Sequence, residues 1–388
     1  MANEIVIGAP RIELADGHCR LVADVRIPSR RTGGQDSLAL FLEVPCEYGD
    51  YLTVDRCDAF LVGLVHYALY HGLDVRCEAP VSVELHYHLT ETLISGLTDK
   101  GCCPIQINAD LAEGVLTNAE AVGTGISCGV DSMHAIRNHL GNPVKSLRLT
   151  HLAINNVGAF RPDSGQYRRS VTVARKVAEE TGLKLVDSTS NISMVLDYPF
   201  EWCHTFMNSF VTLGLGKLYQ KYFYGSSGYG CASWGMSGHY SLRHDCAFYE
   251  CFLLPCFSNS STRTKIVLDG ATKNRFQKIR DIADFDLAQK YLNVCVSDTG
   301  VNCGRCEKCR RTLINLDGLG VLEKFSTVFD MDAYRCNKWK YLGWALYRKW
   351  VGRGDMTNDA LETLRWQIGF KSSAFAMARL MTRPFKGI

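Results

Sequence analysis

From residue 119 to residue 225 short β-branched runs alternate with helical patterns, and this alternation constrains the fold more than anything else in the chain. Residues 122–126, 147–155, 184–186 and 222–225 read as strands. Residues 132–140, 167–181 and 205–220 carry apolar side chains at helical spacing, with Gly182 as a stop. Strands that run parallel need crossover helices, and right-handed crossovers put helices on both faces of the sheet. Residues 116–325 are therefore expected to form an α/β domain on a parallel sheet.

The first 115 residues follow another pattern. Runs at 4–6, 11–14, 20–27, 38–44, 80–88 and 104–109 read as short strands. Asp58 is a candidate cap for one helix bearing Phe60, Leu61, Leu64, Val65 and Leu69. This is the pattern of a separate N-terminal α+β domain, and it holds no catalytic constellation. The longest apolar stretch, residues 59–73, is broken by His66 and His71 and is shorter than the roughly 20 residues of a membrane span. The opening residues lack a basic segment followed by an apolar one, so neither a secretory leader nor a membrane partner is expected.

Seventeen cysteines is a large number, but it is odd and most are scattered, unlike a small secreted disulfide scaffold. Cys57, Cys203, Cys246 and Cys251 sit among apolar neighbours and read as small buried hydrophobes. The compartment is read as a reducing cytoplasm. A formal charge of +3 is too small for a nucleic-acid coat. The last segment, residues 326–388, is locally basic, with Arg335, Lys338, Arg348, Lys349, Arg365, Lys371, Arg379, Arg383 and Lys386 among Trp339, Trp344, Trp350 and Trp366. It reads as a helical extension whose tryptophans pack inward. A grip on nucleic acid is the weaker reading.

Chemistry concentrates in two places. Ile126-Ser127-Cys128-Gly129-Val130-Asp131-Ser132 lies between a strand and a helix, where open α/β sheets bind ligands. A Gly-containing turn lets N–H groups converge on an anion, and the helix N-terminus adds partial positive charge. No G-x-x-x-x-G-K-[ST] loop occurs anywhere. The second place is Cys295-x7-Cys303-x2-Cys306-x2-Cys309, four thiols that can close a tetrahedral shell. A full sulfur shell suits structural Zn²⁺ and leaves no position for water. An iron–sulfur cluster is the rival occupant.

Ser127 to Ser132 resembles the S-G-G-x-D-S motif of the PP-loop ATP pyrophosphatases, with Cys128 in place of the first Gly. Together with the cysteine run, it resembles the 7-cyano-7-deazaguanine synthase (QueC-like) family over roughly residues 119–325. That resemblance implies a Rossmann-like, adenine nucleotide alpha hydrolase-like core with a zinc knuckle at 295–309. It also implies an ATP site at Ser127, Cys128, Gly129, Val130, Asp131 and Ser132, with Mg²⁺ accompanying the nucleotide. Asp131 and Ser132 are the candidate catalytic residues of the loop. Arg275 and Lys278, at i and i+3 on one helix face, are expected to add cations near the phosphates. The implied reaction adenylates a small carboxylate, such as 7-carboxy-7-deazaguanine, and passes it to ammonia or an amine to give an amide or nitrile. The alternatives are conjugation to a protein amine, tRNA thiolation, or a non-catalytic zinc-stabilised binding module. A homodimer is compatible with the sequence. Weaker candidates are Arg311, His239 in residues 235–239, His244 with Asp245, the hydroxyl-rich residues 258–262, and Asn155 with Asn156.

Overall fold

The structure, a computed structural model, describes residues 3–28, 35–161, 164–228, 247–258, 263–297, 301–354 and 356–382. Contacts divide the chain into two compact units, Met1–Ile126 with Asn138–Thr272, and Ser127–Arg137 with Lys273–Ile388. The described strands are β1 (Glu4–Ile7), β2 (Arg11–Ala15), β3 (His18–Pro28), β4 (Gln35–Pro45), β5 (Asp74–Cys77), β6 (Val81–Ser82), β7 (Ile107–Asn108), β8 (Leu111–Ala112), β9 (Ala121–Gly125), β10 (His151–Asn156), β11 (Lys184–Ser190), β12 (Tyr219–Gly225) and β13 (Lys265–Asp269).

The protein is α/β, and its first unit is built on one large mixed sheet in the order β13-β12-β9-β10-β11-β4-β3-β1-β5-β7. From β13 to β11 every pairing is parallel. The order within this block reverses direction at β9, the pattern that leaves a crevice at the strands' carboxyl ends. β9 runs directly into the Ser127 turn. β4 then pairs antiparallel with β11, at Thr189↔Glu43 and Ser190↔Leu42, and forms a long hairpin with β3. The N-terminal strands are therefore not a separate sheet, and the division expected near residue 115 does not follow the observed units.

The core of this unit sits on the helix Asp58–His71. Phe60, Leu61, Leu64, Val65 and Leu69 are all 0% exposed, each such burial stabilising by about 1.5–3 kcal/mol. This accounts for the long apolar stretch, since the helix is buried from Asp58 to Leu69. Asp58 is the first helical residue and not its cap. Its carboxylate instead accepts from the Ser82 N–H at 2.8 Å and from the Ser82 hydroxyl. Cys57 and Cys203 are fully buried, Cys251 is partly so, and Cys246 lies outside the described residues.

Three local expectations are corrected. Residues 80–88 are not a strand: after the two-residue β6 the chain is helical, Val83–Tyr87 and His88–Ile94. Leu85, Leu89, Leu93 and Leu97, four apart and each 0% exposed, set a helical period. The helix expected over 205–220 is Phe200–Gly214, and aromatic Tyr219, Tyr222 and Phe223 take the chain into β12. The strand expected from 147 starts at His151, behind a short 3₁₀ turn.

Among its described residues the second unit holds helices and a cysteine loop but no strand. Its helices include Arg275–Ile282, Glu307–Gly318, Met331–Trp350 and Phe370–Met381. The last two pack closely because Gly343 has no side chain: a Cβ there would stand 2.6 Å from the Ser372 carbonyl oxygen. Much of the local basic charge is neutralised, Lys338 by Asp317 at 2.6 Å, Arg348 by Glu307 at 2.9 Å and Lys349 by Glu362 at 2.9 Å. The tryptophans do not all pack inward. Trp344 is 8% exposed, but Trp350 is 45% and Trp366 85% exposed. No helix of the described residues is long and apolar enough to cross a membrane.

Candidate functional site: the Ser127–Ser132 turn and a four-cysteine centre

Both sequence-predicted clusters fall in the second unit. Cys128 holds φ +56°, the left-handed region that favours glycine, at the position where the resembled motif has Gly. Its thiol is buried, and burial pushes its pKa up to about 12. Its carbonyl accepts from the Asn293 N–H at 2.8 Å. The Gly129 N–H donates to Ser127 Oγ at 3.3 Å, and Ser132 Oγ donates to the Gly129 carbonyl at 3.0 Å. The two hydroxyl oxygens lie 3.3 Å apart. Val130 opens the helix Val130–His139 with Asp131 in its first turn.

The helix Arg275–Ile282 brings both predicted cations to Asp131. Arg275 approaches one carboxylate oxygen at 3.0 Å, and Lys278 Nζ approaches the other at 3.0 Å. Both cations are buried, at 7% and 1% exposure. Burial opposes ionisation of Asp131, but the two ion pairs overcome it and hold the carboxyl below its usual range. Asn274 fixes the helix start through a capping box: its side chain accepts from the Gln277 N–H at 2.8 Å, and Gln277 Oε1 accepts from the Asn274 N–H at 2.9 Å.

Lys308, between Cys306 and Cys309, escaped the sequence reading because it looked like a spacer. Desolvation first, then repulsion from Arg311 and Arg275, lowers its pKa, while Asp131 acts the other way. Three cations, Arg275, Lys278 and Lys308, thus act electrostatically on one carboxylate. At the turn itself Arg275 and Lys278 outweigh the single charge of Asp131, and that excess suits an anion.

The sulfurs of Cys295, Cys303, Cys306 and Cys309 lie within 4.8 Å of one another. A tetrahedral ion with bonds of about 2.3 Å needs sulfurs about 3.8 Å apart, so the set fits Zn²⁺. Backbone N–H groups point at the sulfurs: Arg305 and Cys306 donate to Cys303 at 3.4 and 3.3 Å, and Cys309 donates to Cys306 at 3.4 Å. Ser297 donates to Cys295 at 3.3 Å. Gly304, at φ +66°, turns the chain between ligands, and its carbonyl accepts from the Tyr341 hydroxyl at 2.7 Å. Burial opposes ionisation of Cys303, yet these donors bring it down to about 6, while burial and then Cys306 push Cys309 up. Asn302 was also missed: it accepts from the Val294 N–H at 2.9 Å and donates to the Leu292 and Val328 carbonyls, tying the loop down.

The weaker candidates separate. Arg311 contacts Met356 Sδ at 2.8 Å and acts electrostatically on Lys308. Asn155 and Asn156 lie on β10 in the first unit, where Asn155 accepts from Ser188 Oγ at 2.9 Å and donates to Asn208 Oδ1 at 3.3 Å. These bonds give Asn155 a structural role. Residues 235–239, His244, Asp245 and 259–262 lie outside the described residues. Among the described residues no other group of three His, Cys, Asp or Glu is arranged to hold a metal ion. Comparison with protein-family models, curated proteins and solved structures gave no match.

Proposed function

We propose that this chain is a PP-loop enzyme that adenylates a carboxylate with ATP and passes the acyl group to ammonia or an amine. The observation that carries the reading is Asp131, in the first turn after the Ser127–Gly129 bend, clamped by Arg275 and Lys278. A bare carboxylate there would repel phosphate; one matched by two cations does not. The reversal of strand order at β9, whose chain continues into this turn, supports a Rossmann-like core. The order β11-β10-β9-β12-β13 is the one such cores use.

In the proposed reaction a carboxylate oxygen attacks the α-phosphorus of ATP and pyrophosphate leaves. The nitrogen nucleophile then displaces AMP from the acyl carbon, giving an amide. Ser127 and Ser132 hydroxyls and the N–H groups of the turn hold the leaving pyrophosphate, and Arg275, Lys278 and Lys308 offset its developing charge. Mg²⁺ bound with the nucleotide would supply further Lewis-acid stabilisation. Zn²⁺ on the four cysteines would be structural, holding Lys308 in place. The substrate class is a 7-deazapurine carboxylate, taken from the resemblance alone.

The test is nucleotide analysis of purified protein with Mg-ATP, ammonia and 7-carboxy-7-deazaguanine. AMP and pyrophosphate are expected only when the acid is present, and Asp131→Ala is expected to abolish both. ATP turnover absent with every carboxylate tried overturns the reading. Cys128 at φ +56° favours a second reading, a binding module whose loop holds nucleotide without turnover. Saturable ATP binding with no AMP would establish it. A thiol with a pKa pushed to about 12 is a poor sulfur carrier, which counts against tRNA thiolation through Cys128.

A further inference from the structure

The last helix, Phe370–Met381, carries apolar side chains on its exposed side as well as on its packed one. On an ordinary surface helix the apolar stripe faces the protein and the polar face meets water. Here the packed side sets Ser372, 1% exposed, Ala376, 0% exposed, and the partly buried Phe375 against the helix Met331–Trp350 at Gly343 and Trp339. Phe370, Ala374, Met377 and Met381, at i, i+4, i+7 and i+11, form the opposite stripe. Phe370 is 88% exposed, Met377 46%, Met381 77% and the flanking Leu380 41%. Trp366, just before the helix, is 85% exposed. Scattered exposed apolar residues need no explanation, but a continuous stripe with this geometry marks an interaction surface.

Charge identifies the occupant. No acidic residue follows Glu362, whereas Arg365, Lys371, Arg379, Arg383 and Lys386 do. Among the described residues Lys371 is exposed and pairs with no carboxylate, whereas Arg379 lies over the Tyr347 and Phe375 rings on the packed side. A second copy would bring the same positive charges together, which disfavours self-association. Trp366 and Phe370 could stack on bases, but Met377, Leu380 and Met381, which extend the stripe along the helix, offer no stacking plane and suit acyl chains. We propose that this helix docks flat on an anionic lipid surface, with Phe370, Met377 and Met381 entering the headgroup boundary while Lys371 and Arg365 meet the lipid charges. This revises the expectation of no membrane partner, because exposure of a stripe is invisible to composition. The binding is peripheral and independent of the adenylation reading.

The experiment is flotation of the full-length protein with vesicles of phosphatidylcholine alone or with about 30% phosphatidylglycerol. Co-flotation is expected with the anionic vesicles only, and it should fall as salt rises. Phe370→Ser with Met377→Ser should weaken it by about tenfold or more, since both side chains lose their apolar insertion. Lys371→Glu with Arg365→Glu should weaken it while leaving the stripe intact. All four positions are exposed, so an unchanged Tm in each variant keeps the comparison sound. Absence of flotation, equal binding to neutral vesicles, or binding indifferent to the Phe370→Ser pair overturns the proposal. So does a dimer in light scattering that the same pair abolishes without any vesicle binding, or salt-sensitive RNA binding in its place.

Discussion

Cys128 pairs a left-handed backbone with a buried thiol, and the magnitudes nearly cancel. A non-glycine residue at φ +56° costs about 1 kcal/mol, and burying a small thiol returns a similar amount. Cys128→Gly is therefore expected to leave Tm within a few degrees, while Cys128→Val, β-branched at the same φ, should lower it clearly in a thermal melt. Asp131 is the opposite case, since its partners are buried cations. Asp131→Asn leaves Arg275 and Lys278 buried without a counter-charge and should cost about 3–5 kcal/mol in urea unfolding, with part recovered in the Asp131→Asn/Lys278→Met double variant. A third residue sets a pH limit. Burial, then Lys184, lowers His151 from 6.5 to about 4, so the folded protein keeps it neutral. A depressed histidine pKa means stability is present above 6.5 and lost as pH falls towards 4, on the order of 3 kcal/mol. His151→Gln should flatten that stretch of the stability–pH curve; an unchanged slope would show the histidine is not responsible.

At the level of elements, the cysteine loop and the helix it starts act together. Cys306 caps Glu307–Gly318 with its own sulfur, so a metal on Cys306 also fixes the helix that carries Lys308. Chelation, or Cys309→Ala, should remove metal from the purified protein and loosen that helix, read as lost ellipticity and lost metal content together. Retained ellipticity without metal would separate the two. Elements with strong local signals were legible in the sequence: β1 to β4, β9, the Gly182 stop and the four-cysteine spacing are where their residues place them. Residues 80–88 were not, because β-branched valines 81 and 83 mask a helical leucine period that runs on to Leu97. Arg275 and Lys278 were legible as a pair on one helix face, but their meeting with Asp131 depends on side chains far apart in sequence. Lys308 and Asn302 act through such long-range neighbours, and no local pattern announces them.

Over the whole molecule, the two units are woven from interrupted stretches of chain, and their stabilities rest on different terms. The first relies on buried apolar side chains around Asp58–His71 and a continuous sheet; the second is small, helical and tied to its cysteine centre. Hydrogen exchange after metal removal should therefore speed up in Glu307–Gly318 and Met331–Trp350 while β3, β4 and β10 stay protected. Uniform acceleration would show that the units unfold together. The pairing of β4 with β11 has a consequence for synthesis. The β3–β4 hairpin leaves the ribosome early, yet the partner for Leu42 is Ser190, which is translated much later. Until then β4 presents an open hydrogen-bonding edge to every other nascent chain nearby. Such wiring is expected to call for chaperone cover during translation. Slowing elongation between the hairpin and β11 should reduce its soluble yield.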